Sequence, residues 1–293
     1  MKKILFKGCG TAISTPFGKN GVNLKEFEKL VENQIQNKVD AIIVCGTTGE
    51  SSTMTTEEKI ATIECAVKTS HGRIPIIAGT GGNNTKQVIE YSKKIESLGV
   101  DGLLIVTPYY NKCTQSGLIE HYKEIAKNVT LPIILYNVPG RTGVNIQPKT
   151  CLELSKIENI VAIKEASGNL SQVAEIAHLC GENLFIYSGN DDQVLPVLSL
   201  GGIGVISVLS NVMPEYTHNM VQNFLDGNVN TATQMQLNAI PLINSLFSEV
   251  NPIPVKTALN ILGYQFGIPR LPLTPMSEEK EKILKDELLK LVN

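Results

Sequence analysis

The 293-residue sequence predicts an α/β fold, a (β/α)8 TIM barrel with a small C-terminal helical appendage. Eight short runs rich in Ile and Val recur at a mean interval of about 28 residues, the length of one βα unit. Most of these runs are continuously apolar, which is typical of parallel strands covered on both faces. They are Gly10–Ser14, Ala41–Cys45, Ile74–Gly79, Gly102–Val106, Pro132–Asn137, Ile160–Glu165, Leu184–Ser188 and Ile203–Val208.

Amphipathic stretches between the runs predict the helices. Leu24–Asn37 places apolar residues on one side and Glu and Lys on the other. Thr85–Leu98 has the same pattern and stops at Gly99, a residue type common just after a helix. The segment 55–58, Thr-Thr-Glu-Glu, predicts a helix start with acidic residues in its first turn.

The chain changes character near its C-terminus, where helical patterns broken by prolines replace the strand runs. We therefore predict a catalytic barrel over residues 1–230 and a helical region over 231–293. The structural alternative is an open doubly wound sheet, which often carries a Gly-x-Gly-x-x-Gly turn after its first strand. The nearest candidate, residues 79–84, has Asn in place of the third Gly and follows the third strand, so it is weak support for a dinucleotide site.

Composition excludes several classes of function. The net charge of −2 with no basic cluster argues against a nucleic-acid groove, and the apolar runs are much shorter than the roughly 20 residues of a membrane helix. Six scattered cysteines without a Cys-x-x-Cys pair predict reduced, buried thiols in a cytoplasmic protein. The four histidines lack the spacing of metal ligands, so we expect no metal site.

In barrel enzymes the reactive groups lie at the C-terminal ends of the strands, where this sequence places Lys164. Alternation along the sixth run puts Lys164 on one face with Ile160 and Ala162, and Val161 and Ile163 on the other. The lysine then points into the barrel mouth, where a desolvated amine could attack a carbonyl. The alternative is a lysine that simply reaches solvent.

Other strand ends carry further candidates. Tyr136 ends the neighbouring strand and could relay a proton, or could be a packed rim tyrosine. Thr47 and Thr48 lie between two glycines, and their backbone N–H groups and hydroxyls could bind a carboxylate, although such a turn is often only a tight connection. Arg141 is one of three arginines, and its place on a catalytic-face loop suggests bidentate recognition of a carboxylate. A surface ion pair is the alternative reading.

With these residues in view, the sequence resembles the dihydrodipicolinate synthase family of pyruvate-dependent lyases and synthases. Residues 46–51, Gly-Thr-Thr-Gly-Glu-Ser, match one family motif, and residues 136–139, Tyr-Asn-Val-Pro, match a second together with 163–166, Ile-Lys-Glu-Ala. Further matches at 79–81, 107–110, 204–207, 251–256 and 270–273 extend the resemblance along nearly the whole chain.

The resemblance implies that Lys164 forms a Schiff base with pyruvate, whose enamine attacks L-aspartate 4-semialdehyde to give 4-hydroxy-tetrahydrodipicolinate. It implies a proton relay of Tyr136, Thr47 and Tyr110, with Tyr110 supplied by a neighbouring subunit. It also implies substrate contacts from the four residues Thr48, Arg141, Gly189 and Ile206. No metal or coenzyme is implied, because the iminium is itself the electron sink.

Two points distinguish members of this superfamily. The similar N-acetylneuraminate lyases share the lysine and tyrosine but usually lack the Arg141-Thr142 pair, so the sequence favours the synthase. An N-acetylneuraminate or keto-sugar acid aldolase is the alternative. A non-catalytic binding barrel is disfavoured because the relay residues are all present. Relatives that are inhibited by lysine use a His and a Glu where this chain has Lys59 and Gln87, although Ser51, Asn83 and Tyr109 remain. We therefore expect weak or no lysine inhibition, and a homo-oligomer, either a dimer or a tetramer.

Overall fold

Eight parallel strands close into a barrel in the computed structural model, which describes residues 2–292. Neighbouring strands along the chain are paired in space, and β1 closes the barrel by pairing with both β4 and β10. This confirms the predicted fold class. The barrel strands are β1 (Gly8–Ala12), β4 (Ala41–Val44), β5 (Ile76–Gly79), β6 (Gly102–Val106), β7 (Ile133–Asn137), β8 (Ile160–Glu165), β9 (Phe185–Ser188) and β10 (Gly204–Ser207). Two short strands outside the barrel, β2 (Phe17–Gly18) and β3 (Gly21–Val22), pair with each other.

Helices surround the barrel and continue past its last strand. They are α1 (Leu24–Gln36), α2 (Thr56–Ser70), α3 (Thr85–Glu96), α4 (Gln115–Asn128), α5 (Pro139–Thr142), α6 (Pro148–Ser155), α7 (Leu170–Cys180), α8 (Val194–Ser199), α9 (Pro214–Leu225), α10 (Val229–Leu246), α11 (Ile253–Ile261) and α12 (Glu278–Val292). The predicted start of α2 is confirmed by a reciprocal capping box, in which Thr55 and Glu58 each satisfy the other's backbone N–H.

Two strand predictions need correction. The first strand runs over 8–12 rather than 10–14, because the N–H of Ser14 leaves the ladder and donates to Asn211 Oδ1. In β8, the pairing register with β7 slips by one residue between Ile160 and Ala162. The extra residue breaks the alternation, so Ile160 packs outward against the helices while Val161 packs into the barrel. The predictions that Ile160 shares a face with Lys164 and that Val161 faces the other side are therefore wrong, whereas the predictions for Ala162 and Ile163 are confirmed.

A short hairpin formed by β2 and β3 was not predicted. Phe17 pairs with Val22 and Gly18 with Gly21, so Lys19 and Asn20 form the two-residue turn. Gly21, the first residue after the turn, has a φ of +112°, a conformation that favours glycine. The hairpin carries Phe17, whose ring lies against Lys256 Nζ and the Arg270 guanidinium.

The barrel interior is filled by side chains, and its N-terminal end is closed. Phe6 stacks on Tyr187 at a centroid distance of 4.3 Å, and the Tyr187 hydroxyl donates to Phe6 O. Below them, Lys2 Nζ donates to the carbonyls of Ile157, Glu158 and Ile160. These contacts leave the opposite, C-terminal end of the barrel as the mouth.

The C-terminal helices pack onto the barrel rather than standing apart. Helix α10 lies against α9, α8 and α12, and α11 contacts α10 and α12. Helix α9, which precedes residue 231, already lies against β1 and α10. The boundary at residue 231, between the catalytic barrel and the helical region, remains a prediction from the sequence.

Candidate active site

Lys164 lies where the sequence predicts, near the C-terminal end of β8. Its side chain is buried, with 5% of its surface exposed. On either side it is in register with Tyr136 of β7 and Tyr187 of β9. The amine is thus largely removed from water and lies between two aromatic strand residues.

Tyr136 is the closest aromatic partner of this amine. Lys164 Nζ lies 4.5 Å from the centroid of the Tyr136 ring, within the range of a cation–π contact. The Tyr187 hydroxyl is instead committed to Phe6 O, and burial raises the pKa of Tyr187. Of the two phenols that flank Lys164, Tyr136 is therefore the better placed to exchange a proton with a group bound to the lysine.

Thr47 and Thr48 lie in a tight turn after β4. The turn is closed by two backbone bonds, from Gly49 N to Gly46 O and from Glu50 N to Thr47 O. Thr47 and Tyr136 line the same small cavity, of about 110 Å³. Thr48 is buried, and its hydroxyl oxygen accepts a hydrogen bond from Asn251 Nδ2 at 3.0 Å.

Arg141 lies in α5, a single helical turn that follows β7, and its side chain is exposed. Its guanidinium Nη2 is 3.5 Å from Asn251 O. Asn251 therefore contacts both Thr48 and Arg141 and joins two predicted site residues across the mouth. The Asn251 Oδ1 atom is buried and has no hydrogen-bond partner among residues 2–292.

Gly189 and Ile206 occupy the ends of β9 and β10. Gly189 N donates to Glu165 O at 2.7 Å, and a Cβ at this position would lie 2.6 Å from Ala166 Cβ. The glycine is thus required for the close approach of β9 to the end of β8. Ile206 is fully buried, and its side chain packs in the barrel interior.

Tyr110 is the one predicted site residue that stands away from this group. Its backbone has a φ of +66°, and 91% of its surface is exposed. The preceding residue anchors the loop, since Tyr109 N donates to Asn83 Oδ1 at 2.8 Å. The loop therefore presents Tyr110 outward.

Two residues of the mouth were missed by the sequence reasoning. Asn251 lies within the matching segment 251–256, and Asp191 follows Gly189 by two residues, but the sequence alone assigns neither of them a role. Asp191 is buried and accepts hydrogen bonds from the N–H groups of Val208 and Leu209, both at 2.9 Å. Burial raises the pKa of Asp191, and the positive charge of Lys164 acts in the opposite direction. The carboxylate is thus a buried acceptor within the electrostatic range of the lysine.

Residues 2–292 contain no group of three or more His, Cys, Asp or Glu side chains that could hold a metal ion. Over the same part of the chain, no helix has the length and apolarity needed to cross a membrane. A larger surface cavity, of about 1110 Å³, lies at the opposite, N-terminal end of the barrel and is lined by Lys2, Leu131 and Val161 among others. The candidate site is therefore defined by its side chains rather than by cavity size.

The fold and the site together define a class: a (β/α)8 barrel enzyme with a buried lysine beside a tyrosine at its mouth. The family model for the dihydrodipicolinate synthetase family matches residues 5–291. The chain belongs to this family, and like its curated relatives it is a lyase.

Individual relatives agree with this assignment. The chain is 57% identical over 285 residues to 4-hydroxy-tetrahydrodipicolinate synthase of Clostridium tetani, covering 97% of both chains. Among solved structures, dihydrodipicolinate synthase from Aquifex aeolicus is 45% identical, with a TM-score of 0.96 over 98% of each chain. The enzyme from Cyanidioschyzon merolae, solved with lysine bound, is 41% identical, with a TM-score of 0.95 over 98% of each chain.

Proposed function

We propose that this chain condenses pyruvate with L-aspartate 4-semialdehyde to give 4-hydroxy-tetrahydrodipicolinate, an early step of diaminopimelate and lysine biosynthesis. The observation that carries the proposal is the pair formed by Lys164 and Tyr136, a buried amine 4.5 Å from a phenol ring at the barrel mouth. The product named for the curated relatives supports the choice of reaction.

In the first half of the reaction, the Lys164 amine attacks the ketone carbon of pyruvate. Water leaves, and a protonated imine forms between Nζ and that carbon. The positive nitrogen withdraws electrons, so the methyl group loses a proton and an enamine results. Thr48, through its backbone and hydroxyl, and the backbone of Ile206 hold the pyruvate carboxylate in this proposal. No metal or coenzyme is needed, because the protonated imine accepts the electrons.

In the second half, the enamine carbon attacks the aldehyde carbon of the semialdehyde and forms the new carbon–carbon bond. The resulting alkoxide takes a proton from the relay, for which Tyr136 and Thr47 are the candidates that share one cavity. The amino group of the new product then attacks the imine carbon, closes the ring and releases the Lys164 amine. Each bond to the lysine is thus made and broken once per turnover.

Arg141 supplies the specificity in this proposal. Its exposed guanidinium at the rim can pair with the carboxylate of the semialdehyde in a two-bond geometry. The contact with Asn251 O limits where the side chain can point. Gly189 packs closely against the end of β8, and in this proposal its backbone contacts the second substrate there.

The outward position of Tyr110 supports a relay completed by a second copy of the chain. An exposed tyrosine on a loop that is anchored at its preceding residue can reach into a neighbouring mouth. We propose a homo-oligomer, a dimer or a tetramer, for this reason. We also propose a cytoplasmic location, which is supported by six free cysteines, four of them buried.

Lysine feedback is expected to be weak or absent. Lys59 Nζ lies 5.9 Å from the Tyr91 ring centroid, and both residues line the cavity that also holds Ser51. A fixed ammonium here repels the ammonium of a lysine ligand, and Gln87 offers it no carboxylate.

The test is borohydride reduction in the presence of pyruvate, followed by mass spectrometry of peptides. We expect one reduced pyruvyl group on Lys164 in the wild type and none in Lys164→Ala. Lys149→Ala, an exposed lysine at the start of α6, is the matched control and keeps the adduct. Turnover with L-aspartate 4-semialdehyde, compared with N-acetylneuraminate cleavage, then identifies the second substrate. A folded protein without the adduct contradicts the proposal.

A further inference from the structure

Glu165, the residue after Lys164, has a buried carboxylate that faces only hydrogen-bond donors. Its Oε1 accepts from Ser167 N at 2.7 Å. Its Oε2 accepts from Asn137 Nδ2 at 2.8 Å and from Gln172 Nε2 at 3.1 Å. An ionised carboxylate is an acceptor at both oxygens, so these three donors match it fully.

Asn137 connects this carboxylate to the strand that carries Tyr136. Asn137 follows Tyr136, is fully buried and is the register partner of Glu165, just as Tyr136 is the partner of Lys164. The amide of Asn137 thus ties the end of β7 to the end of β8 directly behind the amine and the phenol. A shift of Glu165 moves both reactive groups relative to each other.

The same network closes the loop that carries Arg141. Asn137 Oδ1 accepts from Ile146 N at 2.9 Å, and Asn137 Nδ2 also donates to Asn145 Oδ1 at 2.8 Å. The loop between residues 137 and 146 is therefore tied together at its two ends. Gln172 of α7 braces Asn145 from the other side, with amide contacts of 2.7 and 3.1 Å.

We propose that Glu165 is a positioning residue that sets the geometry of Lys164, Tyr136 and the Arg141 loop through its negative charge. This inference rests on the proposed function, because it assigns the network a role in that reaction. Glu165 acts through its neighbours in this proposal, since both of its carboxylate oxygens accept hydrogen bonds from Ser167, Asn137 and Gln172.

The decisive variant is Glu165→Gln, which keeps the shape of the side chain. When its amide oxygen accepts from Ser167 N, its amide nitrogen must face the nitrogens of Asn137 and Gln172, so donors oppose donors. We expect kcat to fall by about 100-fold and KM for the semialdehyde to rise, since misplacement of reacting groups by about 1 Å has effects of that size. The pyruvate adduct still forms on Lys164, but more slowly than in the wild type.

A double variant tests whether the carboxylate itself is needed, rather than the volume of the side chain at position 165. In Glu165→Gln/Gln172→Glu, the amide nitrogen at position 165 regains an acceptor, and we expect at least a tenfold recovery of kcat over the single variant. Glu175→Gln, an exposed position on the same helix as Gln172, is the matched control and keeps wild-type kinetics. Recovery of kcat by a relocated carboxylate is not expected if Glu165 only stabilises the fold.

Milder variants keep the test decisive if Glu165→Gln does not fold. Gln172→Met removes one of the three donors, and we expect a loss of kcat of several-fold. Asn145→Ala removes the contacts of the Arg141 loop with Asn137 and Gln172 but keeps the three hydrogen bonds to Glu165, so KM for the semialdehyde should rise while the rate of pyruvate trapping falls less than in Glu165→Gln. Thermal unfolding is recorded for each variant to compare folded fractions.

The outcomes separate this inference from the proposed function. If the wild type traps pyruvate but does not condense it with the semialdehyde, the proposed function is wrong, and the trapping rate of Glu165→Gln still tests the positioning. If the wild type is active and folded Glu165→Gln matches it in kcat, KM and trapping rate, the inference is overturned. The same conclusion follows if the loss of kcat only matches a loss of folded protein.

Discussion

A buried ion pair between Lys256 and Glu50 joins the C-terminal region to the barrel mouth. Lys256 Nζ lies 2.6 Å from Glu50 Oε1, and both side chains have at most 1% of their surface exposed. The amine also lies 4.1 Å from the centroid of the Phe17 ring. Burial lowers the pKa of Lys256, while the Glu50 carboxylate opposes that shift. The other carboxylate oxygen, Glu50 Oε2, accepts from Arg270 N at 2.9 Å.

Replacing Lys256 by Met leaves the Glu50 carboxylate buried with one of its two partners lost. Removing one member of a buried pair typically costs about 3–5 kcal/mol. For a chain of this size, a loss of that magnitude corresponds to a fall in Tm on the order of 10 °C. Because Glu50 ends the turn that carries Thr47 and Thr48, we also expect lower activity in the folded protein.

Thermal and urea unfolding of Lys256→Met, Glu50→Gln and the double variant measure this effect as a mutant cycle. The double variant has no unpaired buried charge, so it should lose less stability than the sum of the two single losses, by a coupling energy of about 2 kcal/mol. Lys290→Met is the control, because Lys290 is exposed and its pair with the partly exposed Glu287 should contribute less than about 1 kcal/mol. If Lys256→Met costs no more than Lys290→Met, the reasoning about buried charge is refuted.

Three further predictions concern pH, lysine and subunit contact. The hydrogen bond from Arg270 lowers the pKa of Glu58 below its unfolded value, so the stability it contributes is present above about pH 4.5 and is lost as pH falls through the lowered pKa. Glu58→Gln should therefore flatten the acid limb of the stability curve, and an unchanged limb would exclude this source. Initial rates should not change with micromolar lysine, because Lys59 and Gln87 replace the groups that would bind it; inhibition at that level would mean that other groups recognise lysine. Tyr110→Phe should lower kcat by about 100-fold without unfolding the chain, and wild-type specific activity should fall on dilution to the monomer; a fully active dilute monomer would contradict a shared relay.

Much of the barrel could be predicted because its strands are covered on both faces. Such strands have to be continuously apolar, and the intervening helices have to be amphipathic, so both leave a pattern in the sequence. The chemistry could be located for a related reason: the fold brings the strand ends together, so Lys164 and Tyr136 could be placed side by side from their positions on neighbouring strands.

The errors arise where neighbouring residues are chemically interchangeable. Ile160 and Val161 are both large and apolar, so nothing in the sequence shows which of them faces the barrel interior at the slip in register. Only the pairing with β7 decides it. The first strand was misplaced for a similar reason, since the side chain of Asn211, almost 200 residues away, removes Ser14 from the ladder.

The contribution of the C-terminal region could not be predicted because it depends on contacts that are distant in sequence. Asn251, Lys256 and Arg270 lie more than 200 residues after Thr48 and Glu50, yet each donates a hydrogen bond to one of those two residues. A lysine in an amphipathic helix predicts an exposed charge, and only the folded chain places it against a buried carboxylate. The turn that carries Thr47 and Thr48 ends at Glu50, and Lys256 of the helical region neutralises the charge of Glu50. The helical region therefore forms part of the barrel mouth.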